Sequence, residues 1–564
     1  MRTSGQLMGA LSMLLLGGSL ASAEDVDLAV VHRIKAEAFE DSKVMDHLFW
    51  LTDANGPRLT GSPGFRTAAD WAVRSLKEWG AANAGLEKWG TFGRGWSASR
   101  FSAHMLQPAY APLSGVPKAW TAGTSGPVTG EVVYAPLFTK EEPPSPWDIE
   151  KLSARIRSYA EEHKGKLRGK VVLFDTAREL ELPKEAAGRR FEPDRLASVA
   201  EAPELGPPVP YEWPITRLPA DAKQRARLMA SLPLEVMADL WERPERLRDA
   251  LNAFLRDEGV LAVLTTDGRG DGAIVFAENA GSWRPGSPTP PPVIVLAPEP
   301  YTRLVRLVDK KIPVKVEVEL QARFHEDSLE GINVVAEIPG GSKKDEVVML
   351  GAHLDSWHGG TGATDNAAGS AVVLEAFRIL QALKLPLART VRLALWSGEE
   401  QGIHGSRGYV KQHFGDPVTM ALKPEHAKLA GYFNIDNGSG KVRGVYLQGN
   451  DMVRPIFQAW LAPFQDLGAT ALSIRNTGGT DHLSFDAVGL PGFQFIQDPL
   501  DYGTRTHHSN VDVADHVLAG DLMQASAVLA SFVYNAATRQ AMLPRKPLPG
   551  PLPPKQAQPA GSRD

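Results

Sequence analysis

The sequence predicts an α/β protein: a mostly parallel mixed sheet with helices on both faces, carrying an inserted β-rich domain. Three observations predict it. After residue 330, apolar runs alternate with helical patterns: "VVML" (347–350), a helix from Asn366 to about Leu383, "VRLALW" (391–396), "LAGYFNID" (429–436) and "FQFI" (493–496). That alternation is the texture of strands joined by crossover helices. Between 126 and 325 the texture changes to β segments such as "GPVTGEVVYAP" and "PVKVEVELQARF". The chain has 564 residues, more than one core usually organises.

In chain order, residues 1–23 carry Arg2, an apolar stretch to Leu20 and small residues at Ala21 and Ala23. This is the pattern of a cleavable secretory signal, and its run is shorter than a membrane span needs. An exported protein, periplasmic or extracellular, without a stable membrane anchor is expected. Residues 24–125 read as the first part of the main domain, with 24–100 helical; "DWAVRSLKEWG" places Trp71, Val73, Leu76 and Trp79 at helical spacing before Gly80. Residues 126–325 read as the insertion, enlarged by a Pro- and charge-rich stretch with helical patterns at about 181–250, because strong α/β patterning resumes only afterwards. Residues 326–541 complete the main domain, and 542–564 form a Pro-rich tail expected to be disordered or linker-like.

Composition excludes some classes. Lys and Arg number 61 against 66 Asp and Glu, a net charge of -5, with both signs mixed along the chain, so there is no basic footprint for nucleic acid. There are no cysteines, hence no disulfides and no thiolate ligands. Oligomeric state is left open.

Polar residues follow each C-terminal strand at one end. His353 and Asp355 follow "VVML", Glu399 and Glu400 follow "VRLALW", Asp436 follows "YFNI", and His507 and His508 follow "FQFI" and a loop, while Asp365 opens the helix that includes Val372, Val373, Ala376, Phe377 and Leu380. Singly these read as N-caps, solvated loop acids and structural histidines. Together they place several acids on one rim, where a divalent cation or two would remove the repulsion. His353 and Asp355 are two apart, so in extended chain they point the same way, which suits a ligand histidine with a carboxylate behind it that fixes its tautomer. A His/Asp/Glu set suits zinc, with manganese or cobalt equally allowed by donor type. Asp481 and His482 in "GGTDHLSF" read as loop-shaping, Tyr502 as either a packing ring or an oxyanion donor, and Gly359, Gly360 and Gly362 as residues of close backbone turns.

At these residues the chain resembles the co-catalytic zinc exopeptidases (clan MH) that include bacterial leucyl aminopeptidase, carboxypeptidase Q and glutamate carboxypeptidase II. "HLDSW", "GATDNAAGSA", "LWSGEEQGIHGS", "NID", "GGTDHLSF" and "DYGTRTHHSNVD" fall in that family's order across most of 330–530, and "LTDANGPRLTGSPGFRTA" looks like its N-terminal portion. "HLDSW" and "RTVRLALWSGEEQG" are most similar to carboxypeptidase Q. The resemblance implies two zinc ions, with Asp365 bridging, His353 and Asp436 completing one site, and Glu400 and His508 the other. It implies Glu399 as general base with Asp355 in support, a cis Asp365–Asn366 bond, and short peptides as substrates. It also suggests a protease-associated domain for 126–325. His508 is preferred over His507 because "HSNVD" matches the motif. Two rivals stay open: a single-zinc glutaminyl cyclase, and a catalytically silent binding protein.

Overall fold

A computed structural model describes residues 24–139, 141–142, 148–180, 184–203, 206–207 and 209–556. The expected signal at 1–23 lies outside the described residues, as do 557–564.

Two eight-stranded sheets organise the chain. The first runs, edge to edge, Ala82–Thr91, Glu330–Ile338, Arg389–Trp396, Lys343–His353, Leu429–Asn434, Gly492–Gln497, Val442–Tyr446 and Ala471–Ser473. Its central strands, Arg389–Trp396, Lys343–His353, Leu429–Asn434 and Gly492–Gln497, are mutually parallel. "VVML" is a continuous apolar run because both faces of its strand are covered. The helices Ala368–Ala382 and Ala519–Thr538 close one face, and Tyr409, Phe414 and Phe485 belong to the cluster on the other. Ala368–Ala382 is buried nearly all round, as expected of a helix apolar on every side. Parallel alignment has one functional consequence: the carboxyl ends coincide, with His353 opposite Trp396 and Gly351 opposite Asn434. Ligand sites in such sheets gather at that end.

The second sheet runs Ala111–Pro112, Gly95–Gln107, Lys315–His325, Val128–Tyr134, Lys170–Leu173, Ala262–Thr266, Val293–Leu296 and Gly115–Pro117. No strand pairing joins the two sheets among the described residues. The two crossings between them lie side by side, since Phe92 and Gly93 both donate to the Leu329 carbonyl. The second sheet starts at Gly95 rather than at the expected 126, and 24–100 is helical only to Glu78 before the strands Ala82–Thr91 and Gly95–Gln107. The alternation in "GWSASRFSAHMLQ" is broken by register shifts between Ala98 and Arg100 and between Met105 and Gln107, so period-two patterning does not reveal the strand.

Within 181–250 the described chain forms the helices Pro193–Ala200 and Ala222–Ser231 and the first two-thirds of Leu234–Asp257. The last of these spans two cores. Leu234, Met237 and Leu240 cluster with Ile403 of the first lobe, while Leu251 and Leu255 pack with Val172 and Val263 of the second. The tail also differs from expectation. Residues 543–556 lie along the surface with specific anchors: Leu543 is buried, Arg545 donates to the His426 and Leu429 carbonyls, and Lys555 Nζ lies 2.7 Å from Asp239 Oδ1. Proline keeps this segment extended without preventing it from docking.

Candidate metal centre

His353 ends the central strand, 1% exposed at its side chain, with Nε2 3.2 Å from Asp365 Oδ1 and 3.4 Å from Asp436 Oδ1. Asp365 sits where the backbone leaves Gly362 (φ 67°) for the helix, and its bond to Asn366 is cis, as the resemblance implies. A Cβ on Gly362 would lie 2.3 Å from that of Ser356, so the approach requires glycine. The other oxygen of Asp365, Oδ2, lies 3.2 Å from His508 Nε2 and 3.6 Å from His507 Nε2. His508 Nε2 also meets Glu400 Oε2 at 3.0 Å. Three overlapping groups, His353/Asp365/Glu400, His353/Glu399/Asp436 and Asp365/His507/His508, each bring their donor atoms within 4.8 Å of one another.

The five expected ligands and Glu399 therefore converge. His508 is better placed than His507: it is 16% exposed against 38%, and Glu278 Oε1 lies 2.8 Å from its Nδ1. Tyr502 lines the cavity with its ring 4.8 Å from that of His507. His482 is a neutral interior residue; burial lowers it to about 3, and its Nε2 contacts Gln448 and the Thr477 carbonyl. Asp481 is buried with neither oxygen hydrogen-bonded. It acts on the site through charge, as one of the acids that push Glu399 up.

Asp355 behaves differently from the sequence argument. His353 Nδ1 lies 2.9 Å from the Asp355 carbonyl and 3.6 Å from its carboxylate, so the main chain fixes the imidazole. The strand ends at His353, and alternation no longer applies two residues on. The Asp355 carboxylate instead accepts from Thr60 Oγ1 at 2.8 Å and from the Glu399 and Glu400 amides at 3.3 Å each, pinning the loop that presents both glutamates.

Other contributors went unread in the sequence. Arg58 is fully buried and donates to four carbonyls, those of Leu51, Leu354, Thr361 and Gly362, tying "PRLTG" to the Asp365 loop. Asp512 accepts from Thr364 N at 2.6 Å and Oγ1 at 2.8 Å; it is the acid of "HSNVD", used in the sequence only to choose a histidine. Glu278 lies in the other lobe, where the bridge Phe276–Ser509 and the Ala277 N–H donating to the His508 carbonyl at 3.0 Å dock that segment on the ligand loop.

Electrostatics test whether these residues fit a metal pair. Burial, then Asp365, pushes Glu400 up to about 8, burial pushes Asp481 to about 8 and Asp512 to about 7, and Glu399 is raised by burial and the neighbouring acids Asp436, Asp481 and Glu400. Burial opposes charge on His353, but Asp436 and Glu399 outweigh it and hold the imidazole well above its ordinary value. Without cations the cluster must hold protons. Asp365 Oδ2 is buried without a hydrogen-bond partner, an orphaned acceptor between two imidazoles. All-N/O donors, excess negative charge and an orphaned carboxylate oxygen between two imidazoles fit divalent metal.

Known proteins resemble this chain in sequence and in fold. Residues 333–533 match the model of peptidase family M28. Carboxypeptidase Q of Mus musculus is 30% identical over 254 residues, 45% of this chain and 52% of that protein; the chain spans about half the length of the curated relatives it matches. Among solved structures, a peptidase M28 precursor from Shewanella amazonensis superposes with a TM-score of 0.61 at 22% identity, covering 92% of this chain and 98% of that one. The zinc aminopeptidase BSAP from Bacillus subtilis gives 0.51 at 17% identity, over 88% and 95%. These likenesses are of fold and span both lobes. The match falls on the strands, loops and helices that carry His353, Asp365, Glu399, Glu400, Asp436 and His508, so that the stretch 333–533 is similar to peptidase family M28.

Proposed function

We propose that this chain is an exported zinc-dependent exopeptidase that hydrolyses short peptides. The observation that carries the reading is Asp365, whose two oxygens face different imidazoles, His353 on one side and His508 on the other. In this reading His353, Asp365, Asp436, Glu400 and His508 would hold a pair of divalent cations, with Asp365 between the two imidazoles. When bound, the pair supplies a water acidified towards neutrality and a polarised scissile carbonyl. Glu399, on the cavity wall, takes the water's proton and returns it to the leaving amine. Asp355 acts through the amides of Glu399 and Glu400, and the Tyr502 hydroxyl donates to the developing oxyanion. The same donors would hold manganese or cobalt. Export rests on the 1–23 pattern, and the lobe from Gly95 to His325 is read as a protease-associated type of domain. A silent binding protein would be expected to lack ligands, and a single-zinc cyclase to lack one set; both sets are present.

Two neighbouring substitutions test the roles. Glu400→Ala removes a ligand, so zinc content and activity should fall together. Glu399→Gln keeps the shape and removes the proton acceptor; both metals should stay while kcat falls about 10²–10⁴-fold with KM little changed. Zinc stoichiometry and kcat measured together decide it. Metal loss in Glu399→Gln with retention in Glu400→Ala would reverse the two roles.

A further inference from the structure

The helix Leu234–Asp257 walls two cavities. Through Trp241 and Glu242 it faces the one over Asp365 and Glu400, and through Pro244, Arg248 and Leu251 it faces another, of about 260 Å³, inside the second lobe. The floor of that second cavity is apolar: Leu137, Ile156, Leu251, Leu255, Val263 and Val293 are buried around it and belong to one cluster. Pockets for drug-sized molecules measure roughly 300–1,000 Å³, so this one suits a smaller guest.

The neutral polar groups of the lining are already engaged. Asn252 Nδ2 donates to the Ala280 carbonyl at 3.0 Å, Asn279 Nδ2 to the Gly281 carbonyl at 3.0 Å, and Thr265 Oγ1 to the Ile294 carbonyl at 3.3 Å. The charged groups are not. Lys118 and Arg248, both half-buried, line the cavity together; Arg248 Nη1 donates to the Asn279 carbonyl at 3.1 Å, and neither cation forms an ion pair with a described residue. Burial, then the Arg248 charge, lowers the Lys118 ammonium, and Asp175, Glu278 and Asp267 restore it only in part. Asp175 lines the cavity too, with Oδ2 accepting from the Thr266 amide at 2.9 Å, and burial raises its carboxyl. Two cations that repel each other beside an apolar floor call for one kind of guest, an anion with hydrocarbon attached.

We infer that this cavity binds a small apolar carboxylate, its charge on Lys118 and Arg248 and its hydrocarbon on the floor around Leu251 and Val263. A plain short-chain acid is one source of that chemistry. A free apolar amino acid is another, with its ammonium on Asp175. The site lies apart from the metal centre and does not depend on the exopeptidase reading.

Calorimetry on the zinc-loaded full chain with isocaproate, leucine, leucinamide and acetate tests it. Isocaproate or leucine should bind, while leucinamide, without the carboxylate, and acetate, without the hydrocarbon, should each bind at least about ten-fold more weakly. Leucine tighter than isocaproate supports the site and assigns Asp175 to the ammonium; the reverse order supports it for a plain acid. Lys118→Met should weaken the tighter ligand about ten- to a hundred-fold, the worth of a hydrogen bond to a charged group. Arg248→Gln should act in the same direction and carries the test if Lys118→Met melts early. Leucinamide or acetate binding as tightly as leucine and isocaproate overturns the inference, as does the absence of heat with all four at millimolar concentration. Binding unchanged in both variants also overturns it, and places the carboxylate at the metal centre instead.

Discussion

A single imidazole shows how much of this centre depends on what stands behind it. His508 has a positive φ of 67°, a conformation non-glycine residues hold only when their surroundings impose it. Glu278 supplies part of that imposition at Nδ1 and leaves Nε2 directed at Asp365 and Glu400. Arg269, 3.6 Å from Glu278 and over the Phe276 ring, steadies the carboxylate in turn. Replacing a carboxylate behind a ligand histidine typically weakens metal binding about 10–100-fold. Glu278→Gln should do so in competition with a chelator, while the melting temperature of metal-free protein changes little. The candidate ligands could be picked out in the sequence because His353, Glu400 and Asp436 follow apolar strands at the same end, with Asp365 at the start of a helix and His508 beyond a loop. Glu278 could not. "VFAENAGSW" contains no local pattern, and the residue gains its role from a contact 230 positions away. The different placement of Asp355 has the same origin at shorter range, since strand alternation does not hold two residues past the end of the strand.

Among the elements, the helix Ala368–Ala382 buries one full charge. Glu375 is 0% exposed and accepts from Lys43 N at 2.9 Å and Arg378 Nε at 2.8 Å, with His47 Nε2 at 3.0 Å. Burial opposes its ionisation, but His47 and Arg378 outweigh it and hold the carboxyl at about 2, down from 4.5. A depressed carboxyl stabilises the fold above its unfolded value, and that stability is lost as pH falls through the folded value. The contribution is about 3 kcal/mol at neutral pH. It should be complete above about pH 4.5 and gone near pH 2. Glu375→Gln should therefore be less stable than wild type at pH 7, with the gap closing across that window, as denaturant unfolding at several pH values would show. Elements with unbroken periods, such as this helix and the strands around 347–350 and 391–396, could be read directly. Gly95–Gln107 could not, because its bulges interrupt the period, and the docked tail could not, because proline content signals an extended chain without saying whether it finds partners.

For the molecule as a whole, the acids of the centre repel one another unless protons or metal intervene, so occupancy should stabilise both lobes. Free zinc at 100 times its dissociation constant should add about 2.7 kcal/mol to unfolding. A melting transition that rises on zinc addition and reverts with chelator would show it, and hydrogen exchange should slow at 275–278 as well as at 505–512, because the Phe276–Ser509 bridge joins those segments. The tail sets an order of assembly. Lys555 reaches Asp239 on the helix that walls the cavity, the Gln556 amide donates to the Trp213 carbonyl, and Leu552 donates to Val418. Lys555 leaves the ribosome after every strand of both sheets has emerged. Domains fold largely as their residues become available, so the ligand end of the main sheet can form while Asp239 still lacks its lysine. The wall of the cavity then gains its last contacts, those of Lys555 with Asp239 and of Gln556 with Trp213, only after the rest of the helix is packed in its two cores.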